Sequence, residues 1–342
     1  MPTSLLRFVA KRVLYSIPVV IGAIFITFIV SRVLVPDPVR AWIDLPFSGP
    51  GADEVIQLYT IRYHFNLPLW QQFLYYLFDT LTGNWGISPT TGRPVLAEIG
   101  AYFPPTLELV LVATIISFVV GVPLGALAAV RNKTKIGTSV STLYLAGLSS
   151  PPFLVALLCQ FVLSYAFAIF PSVGEISPTI APPQTITGMM VVDAALEGNW
   201  PAFWSTLDHM VLPALSLALL LFGLFARLTR SSMLDILNKD YMRTEKAKGL
   251  GSFYVNLVHG LRNALIPPVT ILAVTFAQSL GGLLIIEYVF SWPGIGAYAV
   301  TAIMNDNFPD IIGVTLIFAI GVVASNFVAD LLYRILDPRI EG

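Results

Sequence analysis

The side chains able to do covalent or acid–base chemistry are few and far apart in this 342-residue chain. His64, His209 and His259 stand singly, and Cys159 is the only cysteine, so neither a disulfide framework nor a thiolate metal site is available. No His-Glu-x-x-His pair, no Gly-x-Ser-x-Gly elbow and no Gly-Lys dipeptide of a phosphate-binding loop occurs. The chain therefore carries no site for hydrolysing ATP by itself. What remains is a chemistry of contact, in the basic segment Asp240-Tyr241-Met242-Arg243-Thr244-Glu245-Lys246-Ala247-Lys248-Gly249-Leu250-Gly251. Its Ala, Lys, Glu and Arg residues favour helix, and Gly-Leu-Gly permits a sharp turn. Ser252 can cap a second helix through Val255, Leu257, Val258 and Leu261. A charged patch facing lipid headgroups would explain the charges. It would not explain a glycine turn followed by a capped amphipathic helix, which together predict a compact knob that docks into another protein.

The elements that hold this knob are membrane spans. Hydrophobic residues make up 56% of the chain and charged residues 11%, with a mean hydropathy of +0.78, far outside the range of soluble domains. Six uncharged stretches are long enough to cross a hydrocarbon core as helices: Val13–Ser31, Leu109–Val130, part of Ile136–Gly174, Met210–Ala226, Asn263–Ile286 and Ile311–Ala329. They are continuous rather than alternating, which excludes outer-membrane strands. The third stretch holds too many residues for one straight span, and Pro151-Pro152 predicts a kink in it. The first is longer than a signal-peptide core and no small-x-small cleavage site follows, so it reads as an uncleaved span.

Orientation follows from Lys and Arg, which are kept on the cytoplasmic side. Arg7, Lys11, Arg12, Arg131, Lys133, Lys135, Arg227, Arg230, Lys239, Arg243, Lys246, Lys248, Arg262, Arg334 and Arg339 fall together, fifteen of the nineteen basic residues. Both termini and the Lys248 loop are thus expected inside. Asn132-Lys133-Thr134 then faces the cytoplasm and is a chance sequon. Residues 35–104 form the largest external segment, with an amphipathic helix from Trp70 to Leu81 expected on the membrane surface or on neighbouring spans. Turns are predicted at Gly83–Gly86 and Thr90–Pro94. A second external loop, Pro171–Asp208, carries only acidic charges, and a third runs through Phe290–Gly296.

Span centres are free of charge, which disfavours ion-coupled antiport. Arg32, Glu108 and Glu287 lie near outer span ends, and Asp330 and Arg334 are spaced to pair near the inner end. Glu108 and Glu287 read first as interhelical hydrogen-bonding groups and second as contributors to a solute path. Ser149, Ser150, Thr275, Gln278 and Ser279 are the other path candidates, beside the plainer reading that small polar residues pack helices together.

Along almost its whole length the sequence resembles the permease subunits of ABC importers, in the dipeptide/oligopeptide/nickel group. The resemblance is carried by Lys11-Arg12 with Tyr15-Ser16-Ile17-Pro18-Val19-Val20, by Gly92-Arg93-Pro94-Val95, and by Pro105-Thr106-Leu107-Glu108-Leu109. It continues through Gly121-Val122-Pro123-Leu124-Gly125, Tyr241–Leu250, His259–Pro267 and Glu287–Gly296. The cytoplasmic segment is similar to the EAA loop of such permeases: Gly249 matches its glycine, while Arg243, Thr244 and Glu245 stand in place of Glu-Ala-Ala. The resemblance implies an all-α integral membrane protein with six transmembrane helices, cytoplasmic termini, an external subdomain between helices 1 and 2, and a type I ABC importer permease-like core. The expected parts are a first span over 1–34, the external subdomain over 35–104 and a five-helix core over 105–342 with a coupling loop at 231–262. Tyr241, Arg243, Glu245, Lys246, Ala247, Lys248, Gly249, Leu250, Gly251 and Tyr254 would contact the ATPase. The implied partners are a second homologous permease subunit, two ATP-binding subunits, an extracytoplasmic solute-binding protein and membrane lipid, with no nucleic acid. This chain would bind no cofactor, ATP and Mg being held by the partner subunits, and would sit as a multi-pass protein in the cytoplasmic membrane. Peptides are the favoured solute over oligosaccharides and nickel. A secondary carrier without an ATPase is the reading from another class.

Overall fold

A computed structural model describes residues 2–43, 52–249, 251–282 and 284–336. The described secondary structure is helical apart from one isolated bridge between Ile87 and Pro94. Helix α1 (Pro2–Ile29) runs on through a π-helical turn to Leu34. Three shorter helices follow, α2 (Pro38–Ile43), α3 (Ala52–Arg62) and α4 (Leu69–Thr82), the last within a residue of the sequence expectation at each end. Gly83, Gly86 and Gly92 all take positive φ, so the two predicted turns close where a backbone without Cβ is available. Ser88 then donates to Asp310 at 2.7 Å and Asn307 to Thr90 at 2.9 Å, tying these turns to the start of the last helix.

The core is a parallel pair of long helices, α5 (Val95–Val130) and α9 (Trp200–Leu237), of 36 and 38 residues, with Ser117, Gly121 and Gly125 meeting Ala218, Phe222 and Ala226 in order. At 1.5 Å per residue each is over 50 Å long, more than the ~30 Å hydrocarbon thickness requires. The boundary expected between residues 104 and 105 falls inside α5, because Pro104 and Pro105 are accommodated within the helix. Proline there removes two amide donors. Gly100 and Ala101, whose carbonyls lose those donors, line a cavity of about 370 Å³ on the side of Glu175.

Close approach of α5 to α9 depends on Gly121 and Gly125, one turn apart. A Cβ at Gly121 would sit 2.7 Å from the Phe222 carbonyl oxygen, and one at Gly125 would overlap that of Ala226. Small residues at i and i+4 let helix backbones meet in lipid, where packing rather than water exclusion drives association. Replacing Gly125 with alanine is expected to destabilise the protein by about 1–3 kcal/mol through overpacking. Thermal unfolding in mild detergent checks this.

Between α5 and α9 lie α6 (Lys135–Ser149), α7 (Pro152–Cys159) with its π-helical extension Gln160–Ala166, and α8 (Met190–Glu197). The kink expected at Pro151-Pro152 is a bend of 110°, so α6 and α7 are separate helices rather than one bent rod. After α9 come α10 (Asp240–Ala247) and α11 (Ser252–Tyr254), the π-helical stretch Val255–Leu261 and α12 (Arg262–Ala264). Then follow α13 (Ile266–Gly282), α14 (Leu284–Val289), α15 (Ile295–Met304) and α16 (Phe308–Leu336). The chain turns by 47° between α12 and α13, where Pro267 and Pro268 lack amide donors. Among the described residues four helices are long and apolar enough to cross a membrane, or up to six if each bent pair counts as one span.

Candidate functional site

Two groups of side chains stand at opposite ends of the α5/α9 pair. At the end marked by Ala129 and Met233, α10 through α12 form the knob. Met242 and Val255 are fully buried, and the π-helical stretch Val255–Leu261 packs against α9. Met242 and Met233 close around Gly260, whose Cβ position lies 3.5 Å from the Met242 methyl and 3.6 Å from that of Met233. Sequence reading passed over Met242. Its signal was a lone apolar side chain among charged residues, two positions into a short polar helix.

The turn after α10 carries Gly249 at φ +81°, the left-handed region, with nothing within 4 Å of a built Cβ. Leu250 lies outside the described residues, as does the side chain of Lys246. Arg243 pairs with Asp240 at 3.4 Å within α10, and Lys248 in the turn after it pairs with Glu245 at 2.8 Å. The Lys248 ammonium, hydrogen-bonded to Glu245, holds that carboxylate below its usual range. Ala247, Lys248, Gly249 and Gly251 are exposed. Tyr241, Phe253 and Tyr254 are exposed too, Phe253 by 79%. Burial is thus confined to the side that meets α9, and the outward side presents aromatic rings among charges. Phe253 was not singled out from sequence.

At the other end, Glu287 at the start of α14 is fully buried. It accepts from the Thr106 hydroxyl at 2.7 Å and from the Gly296 and Ala297 amides at 2.7 and 3.2 Å, so it caps α15. Thr106 in turn accepts from the Ile295 amide at 2.8 Å, and the Trp292 indole donates to the Pro105 carbonyl at 3.1 Å. The glycines of Trp-Pro-Gly-Ile-Gly have a matching cause. A Cβ on Gly294 would overlap the Glu287 carboxylate, and one on Gly296 would sit 2.8 Å from its Oε2. Thr106 and Trp292 were legible only as parts of a recurring motif, since a threonine and a tryptophan announce no role alone.

Glu108 accepts from the Val191 amide at 3.1 Å, placing its carboxylate at the start of α8. Asp193 in α8 then gathers the loop before it, accepting from the Thr187 hydroxyl and the amides of Ile186, Thr187 and Gly188. Burial alone would raise its pKa, but these four hydrogen bonds outweigh burial and hold it below the ordinary carboxylate range. Glu175, lining the same cavity, has the opposite environment. Burial, reinforced by the charge of Glu108, pushes it up to about 8, and its Oε1 has no hydrogen-bond partner. A carboxyl raised in the folded state stabilises the fold fully below its ordinary value of 4.5 and loses that contribution as pH climbs to about 8. Glu175→Gln is therefore expected to flatten the fall in melting temperature over that interval, with its largest gain at the alkaline end. Melting curves of both proteins across pH test this.

The path candidates do not converge. Ser149 and Gln278 are exposed and Ser150 is partly covered, its hydroxyl donating to the Ala146 carbonyl at 2.7 Å. Thr275 and Ser279 are buried within the chain, the Ser279 hydroxyl donating to the Thr275 carbonyl at 2.8 Å. Glu108 and Glu287 are buried as described. Arg32 is buried too, against the rings of Phe65 and Trp42 at 3.7 and 5.0 Å, and donates to the Tyr63 carbonyl. The expected pairing of Asp330 with Arg334 falls on side chains outside the described set.

A family model described as "binding-protein-dependent transport system inner membrane component" matches residues 121–342. The chain is 39% identical over 323 residues to the probable D,D-dipeptide transport system permease protein DdpB of Escherichia coli (strain K12), with 94% of each chain covered. It is 34% identical to the dipeptide transport system permease protein DppB of Alkalihalophilus pseudofirmus, over 98% of this chain and 100% of that one. It is also 34% identical to the oligopeptide transport system permease protein AppB of Bacillus subtilis (strain 168), over 98% and 99%.

Proposed function

We propose, because the chain belongs to the binding-protein-dependent transport system inner membrane component family, that it is the membrane-spanning permease subunit of an ATP-driven importer of short peptides. The observation that carries this reading is the end-to-end match to dipeptide and oligopeptide permeases at 34–39% identity. The chain itself is non-catalytic. ATP and Mg belong to two separate ATP-binding subunits, a second homologous permease completes the membrane part, and an extracytoplasmic binding protein delivers the solute.

In this reading the chain crosses the cytoplasmic membrane six times with both termini inside, α6–α7 and α12–α13 each serving as one broken span. The distribution of Lys and Arg supports that orientation. The knob over residues 240–262 seats in the ATP-binding subunit through Tyr241, Arg243, Glu245, Lys248 and Tyr254. Its packing against α9 through the π-helical stretch Val255–Leu261 supports a coupling role, because a rigidly held knob transmits movement to the span it packs on. Closure of the ATP-binding subunits then swings α9 and α13, and the solute path opens first outward and then inward. Ser149 and Gln278 are the path candidates that face out of the chain, toward the second permease. Glu108 and Glu287 hold the outer mouth in shape.

Purification of the tagged chain from its native membrane in mild detergent, with mass spectrometry of stoichiometric partners, tests the assembly. Recovery of a second permease with ATP-binding subunits is the expected result. Recovery of the chain alone, with uptake surviving ATP depletion, overturns it in favour of a secondary carrier.

A further inference from the structure

The geometry points to α4 as an interfacial helix lying in one leaflet of the bilayer, held to α1 by one face and covered by acyl chains on the other. The faces divide cleanly. Phe73 meets Phe25 and Phe28 of α1 edge-on, each at 5.3 Å between ring centres. The buried Tyr76 donates from its hydroxyl to Thr27 at 3.1 Å. Trp70, Leu74, Phe78 and Leu81, at steps of four, four and three residues, form a stripe on the other side, each more than half exposed. The only charged residue of α4 is Asp79. At about 100° per residue it lies roughly 145° around the helix from the centre of that stripe.

Depth comes from where α4 meets α1. The apolar helix from Arg7 to Leu34 has 28 residues. At 1.5 Å each this is about 42 Å, the thickness of a bilayer with its headgroups. Phe25, Thr27 and Phe28 lie six to nine residues before Leu34, which places the contact about 9–14 Å inside that end. The hydrocarbon boundary itself lies about 6 Å inside, given a core of ~30 Å. A helix touching α1 at that level, with a stripe of Trp, Leu, Phe and Leu turned outward, is at acyl-chain depth.

The stripe also discriminates between occupants. Helices that pack together in lipid use Gly, Ala, Ser and Thr to bring backbones close, and the stripe has none of these. A soluble protein docking there would leave four large apolar side chains in water between encounters. Lipid satisfies the stripe at all times. The inference uses only that α1 crosses the bilayer, so its failure would leave the coupling assignment standing, and failure of the coupling assignment would leave it standing.

The test is nitroxide labelling of the full chain in liposomes of phosphatidylethanolamine and phosphatidylglycerol. Single cysteines replace Leu74, Phe78 or, as a control in the exposed turn beyond α4, Asn84, in a Cys159→Ser background. At 74 and 78, collisions with oxygen are expected to exceed those with a water-soluble nickel chelate, and at 84 the order reverses. Preference for the chelate at 74 and 78 overturns the proposal by placing the stripe in water. Exclusion of both colliders overturns it by placing the stripe against protein. Should the labelled variants fail to fold, brominated lipid is used on the otherwise unaltered chain. It is expected to quench an emission component that Trp70→Phe removes, and no difference between the two proteins overturns the inference.

Discussion

In the proposed importer, Gly249→Val is expected to abolish solute uptake and solute-stimulated ATP hydrolysis, while the chain still inserts in the membrane. Gly249 sits at φ +81° with no atom near its missing Cβ. The penalty for a side chain there is therefore conformational rather than steric. A left-handed backbone costs an ordinary L-residue about 1–2 kcal/mol, and a β-branched one is a genuine outlier at such φ. The chain can escape that cost by flipping the turn. The turn is exposed and lies between the two buried anchors, so a flip displaces the exposed surface at Ala247–Gly249 while Met242 and Val255 stay buried. Folding survives and coupling does not. Asparagine tolerates the left-handed region and serves as the control: Gly249→Asn keeps most of the activity, Gly249→Ala falls between, and Gly249→Val is inactive. Uptake and ATPase rates in proteoliposomes, measured beside membrane yield, read the series. Equal activity across all three would remove the turn from the coupling pathway.

What the sequence disclosed and what it concealed divide along physical lines. Continuous apolar runs announced the spans, because a bilayer imposes a length and a polarity that composition cannot disguise. Glycines at 83, 86, 92 and 249 announced turns, and each takes positive φ. The amphipathic stretch Trp70–Leu81 announced α4, because 3.6-residue periodicity survives in an aqueous or interfacial helix. Inside the membrane that signal fades: α5 is apolar on every side, so nothing in its local pattern indicated that Gly121 and Gly125 face α9. Nor did any pattern show that α5 would continue through Pro104 and Pro105. The broken third span was visible as two adjacent prolines, but a kink and a 110° bend differ in what packs around them, and that information is tertiary. Glu108 and Glu287 were legible as unusual acids near span ends. Their partners, the Val191 amide for one and Thr106, Gly296 and Ala297 for the other, come together only in the fold.

Glu287 supplies the second large effect. Glu287→Ala is expected to lower stability by at least about 3 kcal/mol, because the Thr106 hydroxyl and the Gly296 and Ala297 amides each lose a buried acceptor, typically worth 1–3 kcal/mol. Glutamine separates a structural staple from a charge that works in transport. Its carbonyl oxygen can face the two amides while its NH₂ faces Thr106, whose oxygen already accepts from the Ile295 amide at 2.8 Å and has a second lone pair to offer. The threonine hydroxyl can then turn toward the Tyr102 carbonyl, 3.4 Å away. The donors of Thr106, Gly296 and Ala297 all stay satisfied and only the second N–H of the glutamine lacks a partner, so Glu287→Gln should melt well above Glu287→Ala and transport at a rate similar to the parent protein. Gly294→Ala should behave like Glu287→Ala, since its methyl group would occupy the space of the carboxylate. Melting temperatures in detergent and uptake in proteoliposomes distinguish the cases. A glutamine variant that folds normally but cannot transport would show that the negative charge acts on the solute, and Glu287 would then belong to the path rather than to the mouth that frames it.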